Sequence, residues 1–223
     1  PEERVNTRPV RMAAAAVWVL TFGLLSAACS ETPPPRLLLL ISVDTLRADE
    51  LGAYGSQRGL TPHLDELARE SSVFTAAYAS ASFTLPSIST LLTGRYPEEM
   101  GIRSNESAVP ESVPTLATAL SARGWRAGAV VGNFVLRSSS GLARGCARFD
   151  DDFPQREAVR KWPERIASDT TSAALEMLDD CTALVEERCF VWVHYQDPHG
   201  PYDPPGSRRA RYLEAERLAP DGG

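Results

Sequence analysis

The sequence predicts an α/β fold built on a mostly parallel central sheet with helices on both faces. Two observations carry that expectation. LLLLISV (37–43) and FVWVHY (190–195) are unbroken apolar runs of strand length, each followed at once by polar residues, which is how strands buried on both faces of a parallel sheet read. Between them, segments of helical period alternate with a further short run, WRAGAVVG (125–132), and strand–helix alternation is the mark of parallel crossover units.

Taken in order, the front of the chain reads as an export signal. Arg4, Arg8 and Arg11 precede MAAAAVWVLTFGLLSAAC, which carries no charge between Met12 and Cys29. Basic residues, a short apolar run and a small-residue ending describe a secretory signal peptide, and an uncleaved N-terminal membrane anchor is the alternative. Leu25-Ser26-Ala27-Ala28-Cys29 resembles a bacterial lipobox, so residues 1–29 are expected to end at a lipidated Cys29. Ser30 at the next position points to the outer membrane. Either way the rest of the chain is exported, as a periplasmic or cell-surface protein anchored to a membrane. Residues 30–36, containing ETPPPR, are a stiff proline-rich tether. Residues 37–223 form the domain. Export permits disulfides. Cys181 and Cys189 are the closest remaining pair, with Cys146 left over. Sequence alone leaves open one bridge plus a free thiol, or three buried thiols.

Within the domain, the first strand ends at Asp44, at the edge where open α/β sheets place ligands. Thr61 is positioned to cap a helix with Pro62 at its first position and Leu64, Leu67 and Ala68 as its apolar stripe. VFTAAYAS (73–80) reads as a short strand running into SFTLPSISTLLTG (82–94). PTLATALSARG (114–124) is a helix stopped by Gly124, and residues 164–180 suit another. This order gathers Asp44, Thr84, Asn133 and His199 at one edge of the sheet. Formal net charge is −6, so no basic surface calls for nucleic acid.

Asp44, His194 and His199 at strand ends, with a hydroxyl-rich turn in between, can hold a divalent metal and ionise a hydroxyl beside it. Each has a plainer reading. Asp44 can close a turn, Thr84 can cap the helix that contains Pro86, and His199 can be a turn residue.

LLLISVDTLRADELGAYG, LTPHLDELARESSVFTAAYA, TLPSISTLLTGRYPEEMGI, GLARGCARFDDDF and FVWVHYQDPHGPYDPP together resemble the ordered landmarks of the sulfatases of the alkaline phosphatase superfamily. The resemblance runs from about Leu37 to Pro205. It implies that family's fold and a metal-dependent hydrolase or transferase acting on sulfate or phosphate esters of a small molecule, glycan or lipid headgroup. It also implies roles. Asp44 and Thr84 would contact a divalent metal, Ca, Mg, Mn or Zn. Thr84 would be the nucleophile, His199 would contact the transferred anion or protonate the leaving oxygen, and Asn133 and His194 would bind substrate. Four positions depart from the family pattern. Thr84 replaces the cysteine that becomes formylglycine, so no formylglycine is expected. Ile88 replaces an arginine, Thr45 the second of two paired aspartates, and Asn133 a lysine. A threonine lacks the second hydroxyl with which formylglycine hydrate expels sulfate, but it can attack phosphorus, so phosphoryl chemistry is favoured. The later Asp-His or Asp-Asn metal step of the family is not found, so the chain looks like the N-terminal half of a longer protein. The alternatives are a catalytically inactive lipoprotein that binds anions or glycans, and a truncated product.

Overall fold

The computed structural model describes residues 36–153, 163–183, 188–202, 204 and 206–218. The expected signal segment, Cys29 and most of the expected tether lie outside these residues. Four strands, β1 (Leu37–Val43), β2 (Trp125–Val131), β3 (Arg148–Asp150) and β4 (Arg188–Tyr195), form one sheet in the order β1-β4-β2-β3. All three pairings are parallel. The helices are α1 (Pro62–Arg69), α2 (Thr84–Thr93), α3 (Leu116–Ser121), α4 (Ala167–Thr182) and α5 (Gly206–Leu218).

Helices cover both faces of the sheet, as expected. On one face Leu85, Ile88 and Leu92 of α2 and Ala117 of α3 share a buried cluster with Ala127, Ala129, Val131, Phe190 and Trp192. On the other, Ala174, Met177 and Cys181 of α4 pack on Val130, Val191 and Val193. The two-residue alternation of a strand divides β4 between these clusters, with Phe190 and Trp192 on one side and Val191 and Val193 on the other. Cys181 and Cys189 form a disulfide that ties α4 to the start of β4, and Cys146 is free. That is one of the two arrangements the sequence left open.

Four expectations are corrected. β1 was read as buried on both faces, yet Leu37, Leu38, Leu39 and Ile41 are 38–54% exposed. β1 is the edge of the sheet, paired only to β4 among the described residues, and an apolar run cannot report how many neighbours it has. The stripe on α1 is open as well, with Leu64 and Leu67 exposed. Thr61 does not cap that helix through its side chain. Its hydroxyl bonds the Asp65 carboxylate and accepts the Gly52 N–H. Residues 73–80 form no strand. Phe74 and Tyr78 stand largely in solvent, and no strand among the described residues offers the backbone ladder that would hold them extended.

The helix that begins at Thr84 is built as its sequence suggests. Pro86 lies in the first turn, where no intrahelical N–H is lost. The free Leu85 N–H is taken by Asn105 Oδ1 at 2.9 Å. Gly94 ends the helix in the left-handed conformation, φ 68°, which a glycine adopts without steric cost. Ile88, which the resemblance sets at an arginine position, is packed into the core.

Candidate functional site

A parallel sheet sends the C-terminal ends of β1, β2 and β4 to one edge, and the residues just past them meet there. The Asp44 N–H donates to the Tyr195 carbonyl at 2.9 Å, which carries the β1–β4 ladder one residue further and fixes the carboxylate at the sheet edge. Asn133 follows β2, is 6% exposed, and is oriented by its Oδ1, which accepts the Val135 N–H at 3.0 Å. Thr84 arrives from the N-terminus of α2.

These side chains converge on a single oxygen. Thr84 Oγ1 donates to Asp44 Oδ2 at 3.0 Å and Asn133 Nδ2 donates to the same atom at 2.8 Å. His194 Nε2 faces it at 3.6 Å. Burial opposes the charge on Asp44, but the neighbouring His194 ring and the hydrogen bonds donated by Thr84 and Asn133 outweigh it. The carboxyl is therefore held below its usual value. Asp44 is thus an anion at neutral pH with the threonine hydroxyl pointed at it. The residue after it, Thr45, has φ 54°, a strained position for a β-branched side chain.

The expected residues are only partly gathered. Asp44, Thr84 and Asn133 come together. His194, expected to bind substrate, is 1% exposed and turned towards Asp44. Asn133 gives one hydrogen of its amide to Asp44. His199 is half-buried in the loop after β4, and its Nδ1 lies 2.7 Å from the Gly200 carbonyl. A carbonyl only accepts, so Nδ1 carries the hydrogen and Nε2 is left open. No hydrogen bond among the described residues joins His199 to Asp44 or Thr84. Two polar residues were missed, Ser42 and Trp192. Ser42 Oγ lies 2.9 Å from His194 Nδ1 and accepts the Trp192 Nε1–H at 2.9 Å. The available signal was a lone serine inside an apolar strand.

Asp44 Oδ1 takes no hydrogen bond from the described residues, so it and the Thr84 hydroxyl are oxygens that a hard cation could use. They fit one side of a divalent site and no more. Among the described residues there is no group of three or more His, Cys, Asp or Glu side chains that could hold a metal. Nor, among those residues, is any helix long and apolar enough to cross a membrane.

Residues 36–217 match the family model described as Sulfatase. The chain is 38% identical to the arylsulfatase A of Bos taurus over 119 residues, which is 51% of this chain and 23% of that protein. Its fold is similar to that of a solved 2-O GAG sulfatase, with a TM-score of 0.56 and 26% identity over 74% of this chain and 35% of that one. It is also similar to the phosphonate monoester hydrolase of Agrobacterium radiobacter, with a TM-score of 0.60 and 21% identity over 79% and 44% of the two chains. The chain thus spans about a quarter of the length of the arylsulfatase and less than half of either solved structure.

Proposed function

Because this chain belongs to the sulfatase family, we propose that it supplies the nucleophile side of an ester hydrolase, with Thr84 as the attacking group. The observation that carries the reading is the 3.0 Å bond from Thr84 Oγ1 to the buried-edge anion Asp44. A hydroxyl is a weak nucleophile until a neighbouring base takes its proton. Here the base is in place before substrate arrives, and the position at the first turn of α2 adds the partial positive charge of a helix N-terminus.

On a phosphate ester, Thr84 Oγ1 forms a bond to phosphorus while Asp44 accepts the hydroxyl proton and the P–O bond to the leaving alcohol breaks. Water then attacks phosphorus and releases a proton that replaces the one taken up by the leaving alcohol, the bond to Thr84 breaks, and the proton held by Asp44 returns to Oγ1. Asn133 keeps the carboxylate oriented through both steps. When protonated, His199, whose Nδ1–H is held by the Gly200 carbonyl, donates from Nε2 to the transferred anion or gives that proton to the leaving oxygen. A divalent ion held from this side by Asp44 and Thr84 would supply charge to the reacting oxygens and lower the pKa of the hydroxyl. Its further ligands come from outside the described residues.

Sulfate esters are the second reading, favoured by the identity to an arylsulfatase. The threonine favours phosphorus, because its adduct is cleaved by water at phosphorus and needs no aldehyde. Substrates of the class bound by sulfated-sugar enzymes, together with phosphorylated headgroups, are the proposed ligands. We further place the protein outside the cytoplasm, lipidated at Cys29 and held on a membrane. The Cys181–Cys189 bridge supports an oxidising compartment.

The test uses the chain with added divalent ions, offered an aryl phosphate diester and, separately, an aryl sulfate. Mass spectrometry should find a phosphorylated peptide containing Thr84, and Thr84→Ala should lose it while still unfolding cooperatively, at a urea midpoint lowered by about 1 M for the lost bond to Asp44. Turnover of the sulfate with no phosphorylated peptide would favour the second reading. Undiminished turnover in Thr84→Ala would leave Thr84 a helix-start residue.

A further inference from the structure

Ser42 and Trp192 take no part in the hydroxyl–carboxylate pair, yet they are linked to it through His194. Ser42 lies opposite His194 in the parallel register of β1 and β4. Trp192 is two residues before His194, on the same face of β4, and is 2% exposed. Its Nε1–H donates to Ser42 Oγ at 2.9 Å, and the same oxygen lies 2.9 Å from His194 Nδ1.

An indole nitrogen can only donate. The hydrogen of Ser42 therefore cannot go to Trp192, and His194 Nδ1 is the acceptor that the described residues offer it. A ring that accepts at Nδ1 carries its hydrogen at Nε2. Nε2 is buried, has no hydrogen-bond partner among the described residues, and faces Asp44 Oδ2 at 3.6 Å. The opposite tautomer would set a nitrogen lone pair against a carboxylate away from water and leave the serine hydrogen unplaced, which is costly on both counts.

We infer that Ser42 is a positioning residue. It receives the Trp192 N–H, gives its own hydrogen to His194 Nδ1, and so fixes His194 as an Nε2–H donor aimed at Asp44. The ring then approaches the oxygen already used by Thr84 and Asn133 as a donor with one fixed orientation. The benefit of this arrangement to turnover rests on the proposed chemistry of Thr84. The tautomer itself does not.

The experiment is a long-range proton–nitrogen correlation spectrum of the ¹⁵N-histidine-labelled chain, recorded without substrate, with His194→Gln assigning the ring. Wild type should show a bare Nδ1 and a protonated Nε2. Ser42→Ala should give a mixture of tautomers, Ser42→Thr should restore the wild-type pattern, and Trp192→Phe should shift it part of the way while leaving the hydroxyl in place. With an ester that the protein turns over, Ser42→Ala should lower kcat about tenfold with little change in KM, the usual scale for a lost orienting bond. A wild-type ring protonated at Nδ1, or a Ser42→Ala spectrum identical to wild type in a folded protein, would overturn the inference. Because the spectrum needs no substrate, a failure of the Thr84 chemistry leaves it decisive.

Discussion

Replacing Asn133 by alanine tests whether the Asp44 carboxylate is held by the contacts described. The side chain makes two bonds, a 2.8 Å donation to a charged oxygen and a 3.0 Å acceptance from the Val135 N–H. A hydrogen bond to a charged group contributes about 1.5–3 kcal/mol, and a side-chain cap of this kind about 1 kcal/mol. Their sum is about 2.5–4 kcal/mol. With a urea slope of about 2 kcal/mol per molar, the unfolding midpoint should fall by about 1–2 M. Fluorescence of the buried Trp192 is a suitable probe. Repeating the substitution in Asp44→Ala isolates the pair, because there only the cap remains to be lost and the cost should drop to about 1 kcal/mol. Acid should act in the same direction. Since the Asp44 pKa is lowered on folding, its contribution is full above the ordinary value of 3.8 and fades as pH falls through the folded value. The Asn133→Ala penalty should shrink with it. Equal costs of Asn133→Ala in both backgrounds would refute the account of a carboxylate held by that amide.

Reduction of Cys181–Cys189, which closes a separation of eight residues, should lower stability by about 2.5 kcal/mol. Urea midpoints with and without a phosphine reductant measure it, and no shift would mean that the bridge adds nothing to a locally ordered turn. Burial pushes the Cys146 thiol up to about 11 from 9.0, so at pH 8 its alkylation by iodoacetamide should run about a hundredfold slower than that of an exposed cysteine. The same shift makes stability fall as pH rises between those two values, because the unfolded thiol ionises first; a rate equal to that of a reference peptide would contradict it. Gly145→Ala should cost about 2–5 kcal/mol, combining a left-handed backbone with overpacking. Its Cβ would sit 2.3 Å from the Thr118 nitrogen at φ 87°, and a calorimetric melting temperature within a degree of wild type would show that this turn gives way easily.

What could be read from sequence depended on whether the signal was local. The runs ending at Val43 and Tyr195 declared themselves as strands because apolar residues stop abruptly at polar ones. Once the strands are parallel, Asp44 and Asn133 must share an edge, so their meeting was legible. Their bonding was not. Asn133 has the chemistry to touch a ligand or a carboxylate, and only the backbone after β2 decides that it turns to Asp44. His194 illustrates the same limit, because strand alternation puts it on the face of Phe190 and Trp192, which α2 covers. That alternation was visible in FVWVHY but needed a partner strand, and its register, to bring Ser42 opposite. Three-residue β3 was invisible because so short a run carries no period. The open flank of β1 was invisible because residue type records affinity for an interior and not the presence of one.

The sheet order also sets a timetable. Among the described residues β1 pairs only with β4, and the Ser42–His194 contact joins residues 152 apart in sequence. At about 5–20 residues per second, synthesis leaves the Leu37–Val43 strand without its neighbour for about 8–30 s. β2 cannot fill the gap, since it lies on the far side of β4. Pairings this distant are slow to form, because the connecting chain must be ordered first. Asp44 is anchored by the carbonyl of Tyr195, so the chemical edge is among the last parts of the fold to assemble. An apolar strand waiting that long needs shelter, which the export proposed above would supply, because the machinery that carries an unfolded chain across a membrane also shields it.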